Sequence, residues 1–244
     1  MKTIHETGQA KNVANFSTLI SRCQGYGTRY NPTNNLIKLP NLINVKNSAA
    51  AVLVTVNNSK SVFIDAVNAR APLFQAMEKL STRAKNALAA TENVDDSTVI
   101  DAMTFIRKIR GARKDKKILN PKPEDPKQIS ASQQSYDQQV EHFNKLVSLL
   151  TSVTAYNPNE TELKPASLHT FELQLRTAND TVVSSATSML NAIQGRNVIL
   201  YAPKTGLVDL AYEAKKYVKS VSTILLEEYR QISGLQFRRP PKKR

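Results

Sequence analysis

The chain has 244 residues, 41% of them hydrophobic, with 34 Lys and Arg against 20 Asp and Glu and a formal net charge of +14. That apolar content supports a core, one cysteine excludes an internal disulfide framework, and the longest apolar run, residues 49–54, falls far short of the ~20 residues a membrane span needs. Charge is uneven: residues 1–90 carry +8, 91–130 +2, 131–230 −1 and 231–244 +5, an asymmetry that points to a polyanion or an acidic partner.

In chain order, residues 1–6 lack an apolar signal region, so a cytoplasmic location is expected. Val13, Phe16, Leu19 and Ile20 recur at three- and four-residue spacing and predict a first helix. Cys23 on that helix reads as a buried structural thiol, because a reactive one would need a placed histidine. The helix should end in Gly25-Tyr26-Gly27-Thr28-Arg29, where glycine supplies turn conformations. In Tyr30-Asn31-Pro32, Asn31 is expected to cap the next helix, Pro32 to take its first position, and Tyr30 to pack back as a staple.

Residues 36–70 pose a conflict. The runs 51–56 and 61–64 around Asn57-Asn58 look like a β-hairpin. The chain resolves it internally, because residues 13–70 return 126 or 127 positions later as 140–196. Phe16 and Leu19 reappear as Phe143 and Leu146, Tyr30-Asn31-Pro32 as Tyr156-Asn157-Pro158, and Arg70 as Arg196. The second copy carries Leu175, Ala178, Val182, Ala186, Met189 and Ile193 at helical spacing with no turn, so both copies are expected to be long helices.

A third helix is predicted over residues 73–90, with Phe74, Met77, Leu80, Ala84 and Leu88 on one face. Next comes a linker helix over residues 96–113, started by Asp95, Asp96 and Ser97, with Val99, Ile100, Met103, Ile106 and Ile109 as its stripe. Its end is densely basic: Arg107, Lys108, Arg110, Arg113, Lys114, Lys116 and Lys117. Residues 121–134 read as a polar linker with three prolines. The second copy then opens with Val140, Phe143, Leu146 and Val147 on a helical face, followed by Asn157-Pro158 with Glu160 completing a capping box. Residues 203–206 break the chain before a helix over 207–221, expected to match 73–90. A last helix over 222–230 should stop at Gly234, with Leu235 and Phe237 docking on the bundle ahead of the basic residues Arg238, Arg239, Lys242, Lys243 and Arg244.

The expected fold is therefore all-α: an elongated helical bundle made of two pseudo-symmetric three-helix repeats joined by a basic linker helix. Repeat 1 spans 1–92, the linker helix and polar linker 93–130, repeat 2 131–233 and the basic C-terminal tail 234–244.

No catalytic or cofactor signature accompanies this frame. His5, His142 and His169 lack metal-ligand spacing, and His142 and His169 are expected on helix surfaces. There is no glycine-rich phosphate loop and no nucleophile elbow. Glu227 and Glu228 read as solvated helix positions. The expectation is a non-enzyme with no cofactor, no metal and no evident small-molecule substrate.

The motifs Lys11-Asn12-Val13-Ala14-Asn15-Phe16 with Tyr30-Asn31-Pro32, and Gly206-Leu207-Val208-Asp209 with Lys215-Lys216-Tyr217-Val218-Lys219-Ser220, resemble a family of tandem-duplicated helical bacterial proteins with no assigned activity. The resemblance implies a bacterial cytoplasmic protein and carries no site or ligand.

The two basic clusters stand above background. Lys and Arg at residues 107–117 could neutralise several phosphates, and the tail would lie along a phosphate backbone as an extended arm. Without a zinc finger, an RNA-recognition aromatic signature or a clear helix-turn-helix, binding to nucleic acid or a nucleoprotein surface would be indifferent to sequence. Competing expectations are a self-assembling scaffold subunit and, more weakly, a helical membrane-active protein without a span.

Overall fold

The computed structural model describes residues 8–111 and 135–240. Among these the chain is all-α, with no strand: α1 (Gln9–Gly25), α2 (Leu39–Ala89), α3 (Asp96–Ile109), α4 (Tyr136–Ser152), α5 (Pro165–Tyr201), α6 (Leu207–Ser220) and α7 (Leu226–Ser233). None of these helices is long and apolar enough to cross a membrane.

The hairpin-like stretch is helix. Within α2, Thr55 Oγ1 donates to the Ala51 carbonyl at 3.1 Å and Ser59 Oγ to the Thr55 carbonyl at 2.9 Å. These hydroxyls bond back onto the preceding turn rather than drawing the chain into a loop. In α5, Thr177 and Thr181 do the same onto Leu173 and Thr177.

Three expectations need correction. Residues 73–90 are not a separate helix. α2 runs 51 residues without a stop and carries Pro72 inside it. A helical proline deprives the carbonyl four residues earlier of its bond; here that residue, Asn68, is exposed, so water can serve it. Second, Asn31-Pro32 and Asn157-Pro158 do not start helices. Each is followed by irregular chain and a 3-10 turn, Asn35–Ile37 or Thr161–Leu163, before α2 or α5 begins. The prolines at helix starts are Pro40, the second residue of α2, and Pro165, the first residue of α5, where the missing N–H costs no bond. Glu160 precedes the second 3-10 turn and makes no side-chain cap. Third, His142 is buried, at 3% exposure, rather than on a surface.

The two tyrosines explain the irregular stretches. Tyr30 is buried and its hydroxyl donates to the Ile37 carbonyl at 2.7 Å; Tyr156 is buried and donates to the Leu163 carbonyl at 3.0 Å. Each closes a seven-residue loop onto its own 3-10 turn. Each replaces a helix cap with one buried hydrogen bond, worth about 1 kcal/mol net and more if broken on one side.

The chain forms two compact units, residues 1–62 with 186–244 and residues 63–185. In the first, α1 packs on α6 around Phe16, Leu19, Cys23, Leu42, Leu207 and Ala214, all fully buried. Tyr217 meets Tyr30 edge-on at 5.4 Å. Arg29 closes the α1 end against α7: its guanidinium makes two 2.8 Å bonds to Glu228 and one of 3.1 Å to the Thr223 carbonyl. Glu228 also accepts from the Leu225 N–H at 2.9 Å, so this carboxylate is no idle surface charge.

In the second unit α3 packs on α4 around Met77, Leu88, Ala102, Phe143, Leu146 and Leu168. Ser135 caps α4, accepting from the Gln138 N–H. Arg70 covers the start of α4. Its guanidinium stacks 3.6 Å from the Tyr136 ring centroid and donates to Asn179 Oδ1 at 2.7 Å, while Asn179 Nδ2 donates to Asp137 at 2.5 Å.

Candidate functional site

The basic end of α3 lies in the second unit. Arg107 and Lys108 occupy the last turn, and Arg110 is the residue that caps it. Arg107 is half-buried and donates to the Thr104 hydroxyl at 2.9 Å; Arg110 is exposed and donates to the Thr82 hydroxyl. Among the described residues both guanidiniums thus hold neutral hydroxyls. Lys108 is exposed, and its charge is felt by His142, whose pKa is lowered first by burial and then by Lys108 and Lys145. Cations at this helix end also suit the partial negative charge of the unpaired carbonyls. Arg113, Lys114, Lys116 and Lys117 lie outside the described residues, as do Lys242, Lys243 and Arg244.

Arg238 and Arg239 are placed in the first unit, and Arg239 has a structural job absent from the sequence reading. Its guanidinium donates to the Tyr201 carbonyl at 2.7 Å and to Asp209 Oδ1 at 2.5 Å. Asp209 Oδ2 in turn accepts from the Lys204 N–H at 2.9 Å. Asp209 therefore fastens both the turn before α6 and the segment carrying Arg239, and those bonds hold its carboxyl below the ordinary aspartate range. In that turn Lys204 takes a left-handed φ of +65°. Gly206 lies so close to the Ala202 backbone that an added Cβ would sit 2.6 Å from the Ala202 nitrogen. Arg238, in contrast, directs its guanidinium to the Gln236 side-chain oxygen at 3.0 Å.

The residues around this segment were missed by sequence reasoning. On α1, Asn12 is 2% exposed; its amide nitrogen donates to the Arg238 carbonyl at 2.8 Å and its oxygen accepts the Arg238 N–H at 3.1 Å. One turn on, Asn15 Nδ2 donates to the Gln236 carbonyl at 2.8 Å. From α6, the Tyr212 hydroxyl donates to the Phe237 carbonyl at 2.8 Å, and Lys215 Nζ to the carbonyls of Ser233 and Leu235 at 2.8 and 3.0 Å. The available signal was the pair Asn12 and Asn15, one turn apart beside the core residue Phe16.

Cys23 is buried, and burial pushes its thiol up to about 12, far from the range of a reactive thiolate. Among the described residues no three His, Cys, Asp or Glu side chains are grouped to hold a metal ion. Comparison with protein-family models, with curated proteins and with solved structures finds no match to this chain.

Proposed function

We propose that the chain is a non-enzymatic helical protein that binds a polyanion, nucleic acid or a nucleoprotein surface, through charge rather than sequence. The observation that supports this most is the end of α3. Arg107 and Arg110 are held in place by the hydroxyls of Thr104 and Thr82, so their charge is oriented without being neutralised by a described carboxylate. Lys108 beside them is exposed, and the sequence continues into Arg113, Lys114, Lys116 and Lys117. Arg239 contributes least, since Asp209 already neutralises it.

The scaffold follows from the duplication, which we read as folding crosswise. Three pairs of features support that reading. Tyr30 and Tyr156 close the same loop in each unit. Arg70 of the first copy reaches the start of α4 and Arg196 of the second reaches Gln9 at the start of α1. The turns before α3 and α6 each contain one left-handed residue, Asn93 at +60° and Lys204 at +65°. On this reading α3 is the partner of α6 and not a linker.

The test is binding of a labelled oligonucleotide of random sequence by fluorescence anisotropy. Between about 50 and 200 mM salt, affinity should fall by at least about tenfold through loss of counterion release. No binding at low salt, or binding insensitive to salt, overturns the reading. Self-association is a second reading, favoured by Val54, Val62, Leu190 and Val198, all exposed on the long helices of the first unit.

A further inference from the structure

Residues 233–239 lie on α1 and α6 as a peptide lies on a receptor. The carbonyls of Ser233, Leu235, Gln236, Phe237 and Arg238 each accept a hydrogen bond from a side chain of those helices. Asn12 commits both ends of its amide to a single residue of the segment, as one strand pairs with its neighbour. Main-chain bonds of this kind select extended backbone and are indifferent to side chains.

Two further contacts add selectivity. Phe237, 4% exposed, is seated edge-on against Phe16 at 6.4 Å and Tyr212 at 6.3 Å. Two residues on, Arg239 is forked between the Tyr201 carbonyl and Asp209. A helix pair needing only an apolar cover would be expected to use apolar groups. A buried Asn12 without a partner would be costly to the fold, so this groove is built for an occupant.

We propose that the groove between α1 and α6 is a peptide-binding site for an extended segment with a phenylalanine anchor and an arginine two residues later. The chain's own residues 235–239 fill it in the folded molecule. The same segment of a second copy fills it when the resident one is released, exchanging identical contacts between copies. This goes beyond the polyanion reading and does not rest on it.

The test uses the full chain carrying Phe237→Ala as host and a fluorescein-labelled peptide of residues 233–244 as probe, in about 0.3 M salt to mute charge attraction. Expected is saturable binding to the host, at least about tenfold weaker binding to the wild-type chain, and a further loss of about tenfold when Asn12→Leu is added to the host. Absence of saturable binding, or equal binding of a peptide with alanine in place of the phenylalanine, overturns the site. Should Phe237→Ala fail to fold by circular dichroism, Arg239→Ala becomes the host; it must then bind the peptide more tightly than wild type does, and equal binding counts as failure. Sedimentation of the wild-type chain over a concentration series should show a dimer fraction that excess peptide dissolves. A chain that binds the peptide but stays monomeric throughout overturns the assignment of a second copy as the partner.

Discussion

The α1–α6 face of the first unit and the α3–α4 face of the second are built on matching cores and finished differently. Phe16 and Leu19 on α1 have their counterparts in Phe143 and Leu146 on α4, all four fully buried. On the crosswise reading proposed above, Ala214 and Val218 on α6 correspond to Ala102 and Ile106 on α3, and all four are buried. The rims diverge. Tyr212 and Lys215 on α6 both donate to residues 233–237. In the same proposed alignment the places on α3 hold Ile100 and Met103, which stand 57% and 45% exposed. On this proposed crosswise reading, the two copies keep what packs and differ in what touches the outside. The same comparison separates two kinds of basic residue: Arg239 is consumed by Asp209, whereas Arg107 and Arg110 rest on hydroxyls.

The largest expected effect tests the shared part. Phe16→Ala and Phe143→Ala should each lower stability by about 3–5 kcal/mol, read by urea unfolding. A large loss at one position and a negligible one at the other would break the correspondence of the two cores.

A smaller effect tests the part that differs. The Asp209 pKa is depressed in the folded chain by Arg239 and by the Lys204 N–H. The stability from those bonds is therefore fully present above the unfolded aspartate value of about 3.9 and is lost as pH falls below it. Followed by the ring signals of Phe237 in NMR spectra, the segment should loosen below about pH 4 in the wild-type chain. Asp209→Asn should remove that pH dependence. An unchanged acid transition in the variant would assign the loosening to another carboxylate.

The all-helical fold was legible because helical spacing elsewhere in the chain outweighed a local turn signal. Asn57-Asn58 reads as a turn in isolation, and the periodicity of the similar stretch through Leu175, Val182 and Met189 reads as helix. Long helices with the right apolar faces were legible for the same reason. Their ends were not. Residues 73–90 read as a separate helix, yet α2 runs on through Pro72 to Ala89. Asn31-Pro32 has the residues of a helix start, yet the buried Tyr30 hydroxyl holds a different turn.

Of the candidate site, the basic residues were visible as composition, but composition cannot tell a paired cation from an unpaired one. Arg238 and Arg239 are neighbours with opposite fates because Asp209, thirty residues away in sequence, faces only one of them. His142 was misplaced for a similar reason: a polar residue between Val140 and Phe143 reads as surface until α3 is known to cover that face of α4.

The most direct measurement compares salt dependence of oligonucleotide binding in two variants of the full chain. Replacing Arg107, Lys108 and Arg110 together by glutamine should reduce the slope of log affinity against log salt by about 2–3, close to one per phosphate contact removed. Arg239→Gln should leave that slope where it is in the wild-type chain. The reverse result, a slope that depends on Arg239 and ignores the α3 end, would contradict the division of labour between the two basic regions.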